Sequence, residues 1–106
     1  MRTSYMTPFA FETLTIDNTE AGIGCTLATY IQGGIAACWA EGALEVAQIR
    51  YRIDGTAPTA TVGVPVEVGQ FIIFRNLDEI RKFRGIRTGS VSGKISIHYW
   101  KSAGGQ

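Results

Sequence analysis

Isoleucine and valine together number 18 in this chain of 106 residues, against 4 leucines, and threonine adds 11 more β-branched side chains. Such side chains are stiff at χ1 and pack well on a pleated, half-buried surface, so a chain weighted toward them is expected to build strands rather than helices. The 13 glycines, against 3 prolines, supply the tight reversals that short strands need. The length fits one domain, able to bury roughly two-thirds of its surface without metals or disulfides. A single domain over residues 1–106 is therefore expected, with residues 1–8 and 102–106 flexible or arm-like at its ends.

Periodicity places the strands. Phe9–Ile16 reads as the first, and Cys25–Ile31 as the second after the Asp17–Gly22 turn. Ile35–Glu45 is ambiguous: its alanines allow a helix, while Gly42 and the flanking glycines favour a strand with a bulge or bend. Val46–Ile53, with Ala47, Ile49, Tyr51 and Ile53 on one face, reads as a half-buried strand ended by Asp54-Gly55. Val62, Val64, Val66 and Val68 alternate with Gly63, Pro65 and Glu67, and Pro65 assigns that strand to a sheet edge or a bulge. Phe71-Ile72-Ile73-Phe74 is apolar at every position and is expected to be covered on both faces. Leu77, Ile80 and Phe83 repeat every three residues and predict one helical turn over 77–83, followed by a strand over Phe83–Thr88. In the last strand Ile95, Ile97 and Tyr99 face the core, while Ser96, His98 and Trp100 face out. Seven or eight short strands at this spacing predict an all-β, antiparallel sandwich, jelly-roll-like in architecture.

The residues offer no catalytic constellation. One histidine and two cysteines, Cys25 and Cys38, do not make a structural metal site, and the alanine-rich surroundings of both cysteines predict buried, inert thiols. Gly89-Ser90-Val91-Ser92-Gly93 has its serines at the second and fourth positions, whereas a nucleophile elbow needs one at the third. Gly93-Lys94 fails the phosphate-loop spacing, and Glu41 and Glu45 read as a solvated strand face. Arg75, Arg81, Lys82, Arg84 and Arg87 are offset by Asp78 and Glu79, and a net charge of +1 gives no field to steer nucleic acid or an anionic membrane. Met1–Tyr5 leads into no apolar run, so no signal peptide is expected. No enzyme, catalytic residue, metal or cofactor is expected, and neither direct nucleic-acid nor membrane binding.

Outward tryptophan and arginine are what protein interfaces favour, which makes Trp39, Trp100, His98, Arg50 and Arg52 the interface candidates. Asp54, Gly55, Pro58, Thr59, Gly63 and Gly69 read as turn residues.

The stretch Ile49-Arg50-Tyr51-Arg52-Ile53-Asp54-Gly55-Thr56-Ala57-Pro58-Thr59, followed by Gly63, Val66–Gly69, Ile80 and the β-rich ending Ile95–Trp100, resembles a family of small head decoration or cement proteins of tailed bacteriophages. The likeness covers residues 45–101 and transfers no catalytic residue. It implies a compact β-sandwich on the capsid exterior, made in the host cytoplasm. The implied partner is the major capsid protein or another virion protein, and the implied state a homo-oligomer, trimer favoured. Two other readings stay open: a tail-, neck- or fibre-associated virion module, and a carbohydrate- or receptor-binding sandwich that uses Trp39, Trp100 and Tyr99 as sugar platforms.

Overall fold

The computed structural model describes residues 6–102. In chain order its elements are β1 (Met6–Ile16), α1 (Leu27–Tyr30), β2 (Ile31–Gln32), β3 (Ile35–Ala36), β4 (Trp39–Glu45), β5 (Ile49–Arg52), β6 (Val64–Val66), β7 (Phe71–Phe74), α2 (Leu77–Lys82), β8 (Arg84–Arg87) and β9 (Gly93–Ser102). A four-stranded sheet in the order β1-β9-β4-β7 and a three-stranded sheet β6-β5-β8 form the domain, with β2-β3 as a small hairpin. All pairings among them are antiparallel, giving the all-β, sandwich-like fold that composition and periodicity predict.

One core joins the layers. Period-two alternation sends Leu14 and Ile16 of β1, Ala40 and Leu44 of β4, Ile72 and Phe74 of β7, and Ile95, Ile97 and Tyr99 of β9 inward. Ile49 and Val66 of the three-stranded sheet join them. Ile80 of α2 and the following Phe83 fill the space between, and the Phe83 ring lies 5.2 Å from Phe74 and 5.7 Å from Tyr51. Gly93 sits where β9 meets the turn into β5. A Cβ added there would lie 2.7 Å from both the Ala47 carbonyl oxygen and Ile49 Cγ2. That turn holds Val46 at φ 79, a conformation β-branched residues rarely adopt.

The six-residue helix α2 is set by its ends rather than its length. The Asn76 side chain accepts from Glu79 N at 2.9 Å, and Glu79 in turn accepts from Arg75 N at 2.8 Å. Its range, Leu77–Lys82, matches the predicted helical turn.

Five local expectations are corrected. Cys25–Ile31 is not a strand: Leu27–Tyr30 makes one helical turn closed by Thr29 N and Tyr30 N donating to Thr26 O, which turns Tyr30 into the core beside Tyr99. A single turn is too short to leave a helical period in the sequence. Ile35–Glu45 breaks at Ala37–Cys38 into β3 and β4, and Gly42 lies in an unbroken register rather than a bulge, its missing Cβ making room for Ile95 and Ile97. Only Val64–Val66 of the valine run is strand, and Val66 alone of its four valines is buried. The strand predicted over Val46–Ile53 is shorter, Ile49–Arg52, because Val46 lies in a turn before it. Finally, Phe71–Phe74 is covered on one face only: Ile72 and Phe74 are buried, while Phe71 is 66% and Ile73 50% exposed. Two further differences are smaller. The β2-β3 hairpin takes the count to nine strands among the described residues. Residues 6–8 and 102, expected in flexible ends, belong to the β1–β9 ladder, where Met6 pairs with Ser102; the other end residues lie outside the described range.

Candidate functional site

The four-stranded sheet has an outer face that no element among the described residues covers. Its side chains follow from the alternation that built the core: if Ile95, Ile97 and Tyr99 point in, then Lys94, Ser96, His98 and Trp100 point out. Register then stacks the neighbours into rows. Trp100 pairs with Trp39 on β4 and Pro8 on β1. One row runs Phe11, His98, Glu41, Ile73 across all four strands, and the next runs Thr13, Ser96, Ala43, Phe71. Lys94, between Thr15 and Glu45, ends the face.

Contacts within these rows are specific. The Phe11 ring lies 4.9 Å from His98, tilted by 55°, and His98 lies 5.9 Å from Trp100, near edge-on. Trp39 Nε1 donates to Glu41 Oε2 at 3.1 Å, so the one polar atom of that indole is satisfied within the sheet and its ring is left as an apolar surface. Phe11, Phe71 and Ile73 are each at least half exposed. An open cavity of about 430 Å³ is lined by Pro8, Phe9, Ala10, Phe11 and His98 at the β1 side of the face. Two half-buried tryptophans, two exposed phenylalanines and an exposed isoleucine on one flat surface make an apolar patch with few charges, the composition of an interface centre.

Trp39, Trp100 and His98 therefore lie together on this face. Arg50 and Arg52 do not: both are on β5, in the other sheet. Arg50 Nη1 donates to Gly63 O at 2.7 Å, and its buried Nε has no partner among the described residues. Arg52 binds Asp54 through Nε at 3.1 Å and Nη2 at 2.5 Å. That bond holds the Asp54 carboxyl down to about 2. These arginines brace the 54–63 loop. Pro58 is fully buried there, Thr59 Oγ1 accepts from Val62 N at 2.9 Å, and Gly63, at φ 138, lies against Pro58 and the Tyr51 carbonyl. Gly55 and Gly69 take positive φ as well, as turn residues do. A second cavity, of about 320 Å³, is lined by Arg52, Ile53, Asp54, Val62, Gly63 and Val64.

Sequence reasoning missed three members of the face. Phe11 lay in a strand of mixed alternation, and Phe71 and Ile73 lay in a run without any. It also missed a polar knot beneath the sheet. Glu12 Oε2 accepts from Tyr99 Oη at 2.5 Å and from Thr26 N at 3.0 Å, tying β1 to β9 and to the start of α1. Burial raises the Tyr99 hydroxyl far above the ordinary tyrosine range and pushes the Cys25 thiol up to about 12. Cys25 is thus protonated at neutral pH and a poor nucleophile. Tyr99, fully buried, offers no platform for a ligand.

Three of the basic side chains of 75–87 are also engaged. Lys82 Nζ lies 3.1 Å and Arg81 Nη2 3.6 Å from Asp78, and Arg84 Nη1 donates to Phe83 O at 2.9 Å. No group of three or more histidine, cysteine or acidic side chains converges to hold a metal ion among the described residues. What fold and surface define together is a small antiparallel β domain with one uncovered apolar sheet face. Comparison with family models, with curated proteins and with solved structures found no match to the chain.

Proposed function

We propose that this chain is a structural virion protein, one that decorates or cements a tailed-phage capsid by laying the outer face of its four-stranded sheet against capsid subunits. The observation that carries the reading is the uncovered apolar face itself, with Trp39, Trp100, Phe11, Phe71 and Ile73 in adjacent rows. A patch of this kind is costly in water and is retained where a partner buries it. The resemblance of residues 45–101 to phage head decoration proteins supports a capsid or other virion subunit as that partner. Binding at many equivalent sites multiplies a modest contact energy into resistance of the shell to internal pressure.

Cosedimentation of the purified chain with capsids that lack it tests this. The chain is expected to pellet with expanded capsids and raise their resistance to heat. Trp100→Ala is expected to weaken binding by at least about tenfold, the loss typical of an interface hot spot, while the free domain still folds. Failure to bind expanded capsids refutes the reading. Copy number separates capsid decoration from a tail or neck role: hundreds per particle against six or twelve.

The aromatic row beside the Pro8–His98 cavity favours one second reading, a carbohydrate-binding face that uses Trp39 and Trp100 without Tyr99. Titration of tryptophan fluorescence with host glycans decides it, and an unchanged spectrum removes it.

A further inference from the structure

Four strand edges bound the two sheets, and three of them are guarded. At β1 the register shifts between Pro8 and Ala10, and Pro8 lacks a donor. At β6 the centre of the strand is Pro65. Beside β8, Ile23 exchanges backbone bonds of 2.8 and 2.9 Å with Gly85, and Arg87 N donates to Asp17 O at 3.0 Å. The fourth edge, β7, carries no proline, no charge and no bulge within Phe71–Phe74. Such an edge is a template for a further strand.

Local hydrogen bonds fix which groups of β7 are available. Gly69 N donates to Leu44 O and Leu44 N to Gln70 O, both at 2.9 Å, with Gly69 at φ 92, a bulge that sets the phase of the β4–β7 ladder. With Leu44 and Gln70 a hydrogen-bonded pair, alternation turns the N–H and C=O of Ile72 and Phe74 toward β4 and those of Phe71 and Ile73 toward the open edge. Nothing bonds to those four groups among the described residues. The run stops at Arg75, whose N–H is taken by Glu79 at 2.8 Å.

We propose that β7 pairs antiparallel with β7 of a second copy of this chain, centred on Ile72, so that the two four-stranded sheets become one continuous sheet. A two-fold axis normal to the sheet keeps outer face on outer face. Of the registers it allows, only the one centred on Ile72 sets Phe71 opposite Ile73 of the copy in a hydrogen-bonded pair, twice over, and so uses every open group. Charge favours the same arrangement. Glu67, whose carboxylate accepts from Gln48 Nε2, lies just before β7, and Arg75, 3.9 Å from Glu79 with its side chain still 72% exposed, lies just after it. Antiparallel pairing sets each Arg75 beside the Glu67–Gly69 turn of the other copy, whereas a parallel pairing would set arginine by arginine. The assembly has two-fold rather than three-fold order. It leaves the outer face open and doubles its width, with Phe71 and Ile73 of both copies contiguous. The pairing is independent of the capsid reading.

Sedimentation equilibrium and amide hydrogen exchange on the full chain test this up to about 100 μM, where even a weak dimer is populated. The expected result is a mass rising to twice the chain mass, with the Phe71 and Ile73 amides slowing as concentration rises. A single-chain mass throughout, with those two amides fast, overturns the proposal, whether or not the edge takes a foreign strand. Ile73→Pro removes an outward donor and none of the bonds to β4; it is expected to be monomeric with wild-type tryptophan fluorescence, and a folded Ile73→Pro dimer overturns the proposal. If that variant does not fold, the exchange of the native chain decides. Trp100→Ala is expected to remain dimeric; its dissociation, with Phe71 and Ile73 unprotected in the wild-type dimer, would assign the contact to the sheet face and overturn edge pairing.

Discussion

Gly89 and Gly93 bracket one turn, yet their surroundings differ enough to set opposite expectations for the same substitution. A Cβ on Gly93 would stand 2.7 Å from the Ala47 carbonyl oxygen, 2.7 Å from Ile49 Cγ2 and 3.2 Å from Leu44 Cδ1. The first of these is backbone, in a turn held by Ala47 N donating to Glu45 O at 3.0 Å and by the Val46 conformation, so it cannot swing aside as a side-chain tip would. Overpacking of a closed site of this kind costs about 1–3 kcal/mol. In a domain of this length each kcal/mol moves the melting temperature by about 4–8 °C, so Gly93→Ala is expected to melt about 5–20 °C below wild type. A Cβ on Gly89 meets nothing within 4 Å, and its backbone is not left-handed. There alanine restricts only the unfolded chain, and a gain of up to about 1 kcal/mol is expected. Urea unfolding followed by tryptophan fluorescence, supported by calorimetry, measures both. An unchanged slope with midpoints moving in opposite directions is the expected pattern. Equal midpoints for the two variants would show that β9 does not enter the core against the Val46 turn as described.

Three other expectations follow from single residues. Tyr99→Phe removes the donor to Glu12 and is expected to cost about 1–3 kcal/mol in thermal unfolding, with no change in the far-ultraviolet spectrum. Val46→Gly relieves φ 79 at a position 58% exposed, and is expected to stabilise the fold by about 1 kcal/mol in the same assay; a loss of stability refutes strain there. Arg52 lowers the Asp54 carboxyl from its ordinary 3.8 to about 2. A depressed acid contributes its stability above the unfolded value and loses it as pH falls through the folded one. The contribution is thus complete above pH 4 and fades toward pH 2. Because the pair is at the surface, the effect is small and salt-sensitive; Asp54→Asn is expected to flatten that limb of the melting profile at low ionic strength only.

Much of this architecture is legible along the chain, because each strand sorts its own side chains. The alternation over 95–100 sends Ile95, Ile97 and Tyr99 in and His98 and Trp100 out, as the structure has them. The same rule fails for Phe71–Phe74, where every residue is apolar and only the position at a sheet edge decides which pair is left uncovered. Register is the second limit. Trp39 and Trp100 become neighbours through a β4–β9 pairing across 61 positions, and no local pattern announces it. For Arg50 and Arg52 the alternation on β5 was readable, but not that β5 belongs to the other sheet and that loop residues Gly63 and Asp54 take up both guanidinium groups. Glu12 was invisible for a related reason: its partners, Thr26 and Tyr99, lie 14 and 87 positions away.

The β1–β9 ladder also has a consequence in time. β9 fills the middle of the four-stranded sheet, between β1 and β4, but emerges from the ribosome after every other described strand. Until residue 102 is made, β1 and β4 have no shared partner, and the apolar edges of β4 and β7 wait in a sheet that cannot close. Pairings between such distant positions make folding slow, of the order of milliseconds to seconds, and leave unpaired strands open to misassociation. The domain is thus expected to fold only after β9 has left the ribosome, its earlier strands staying open to misassociation until then.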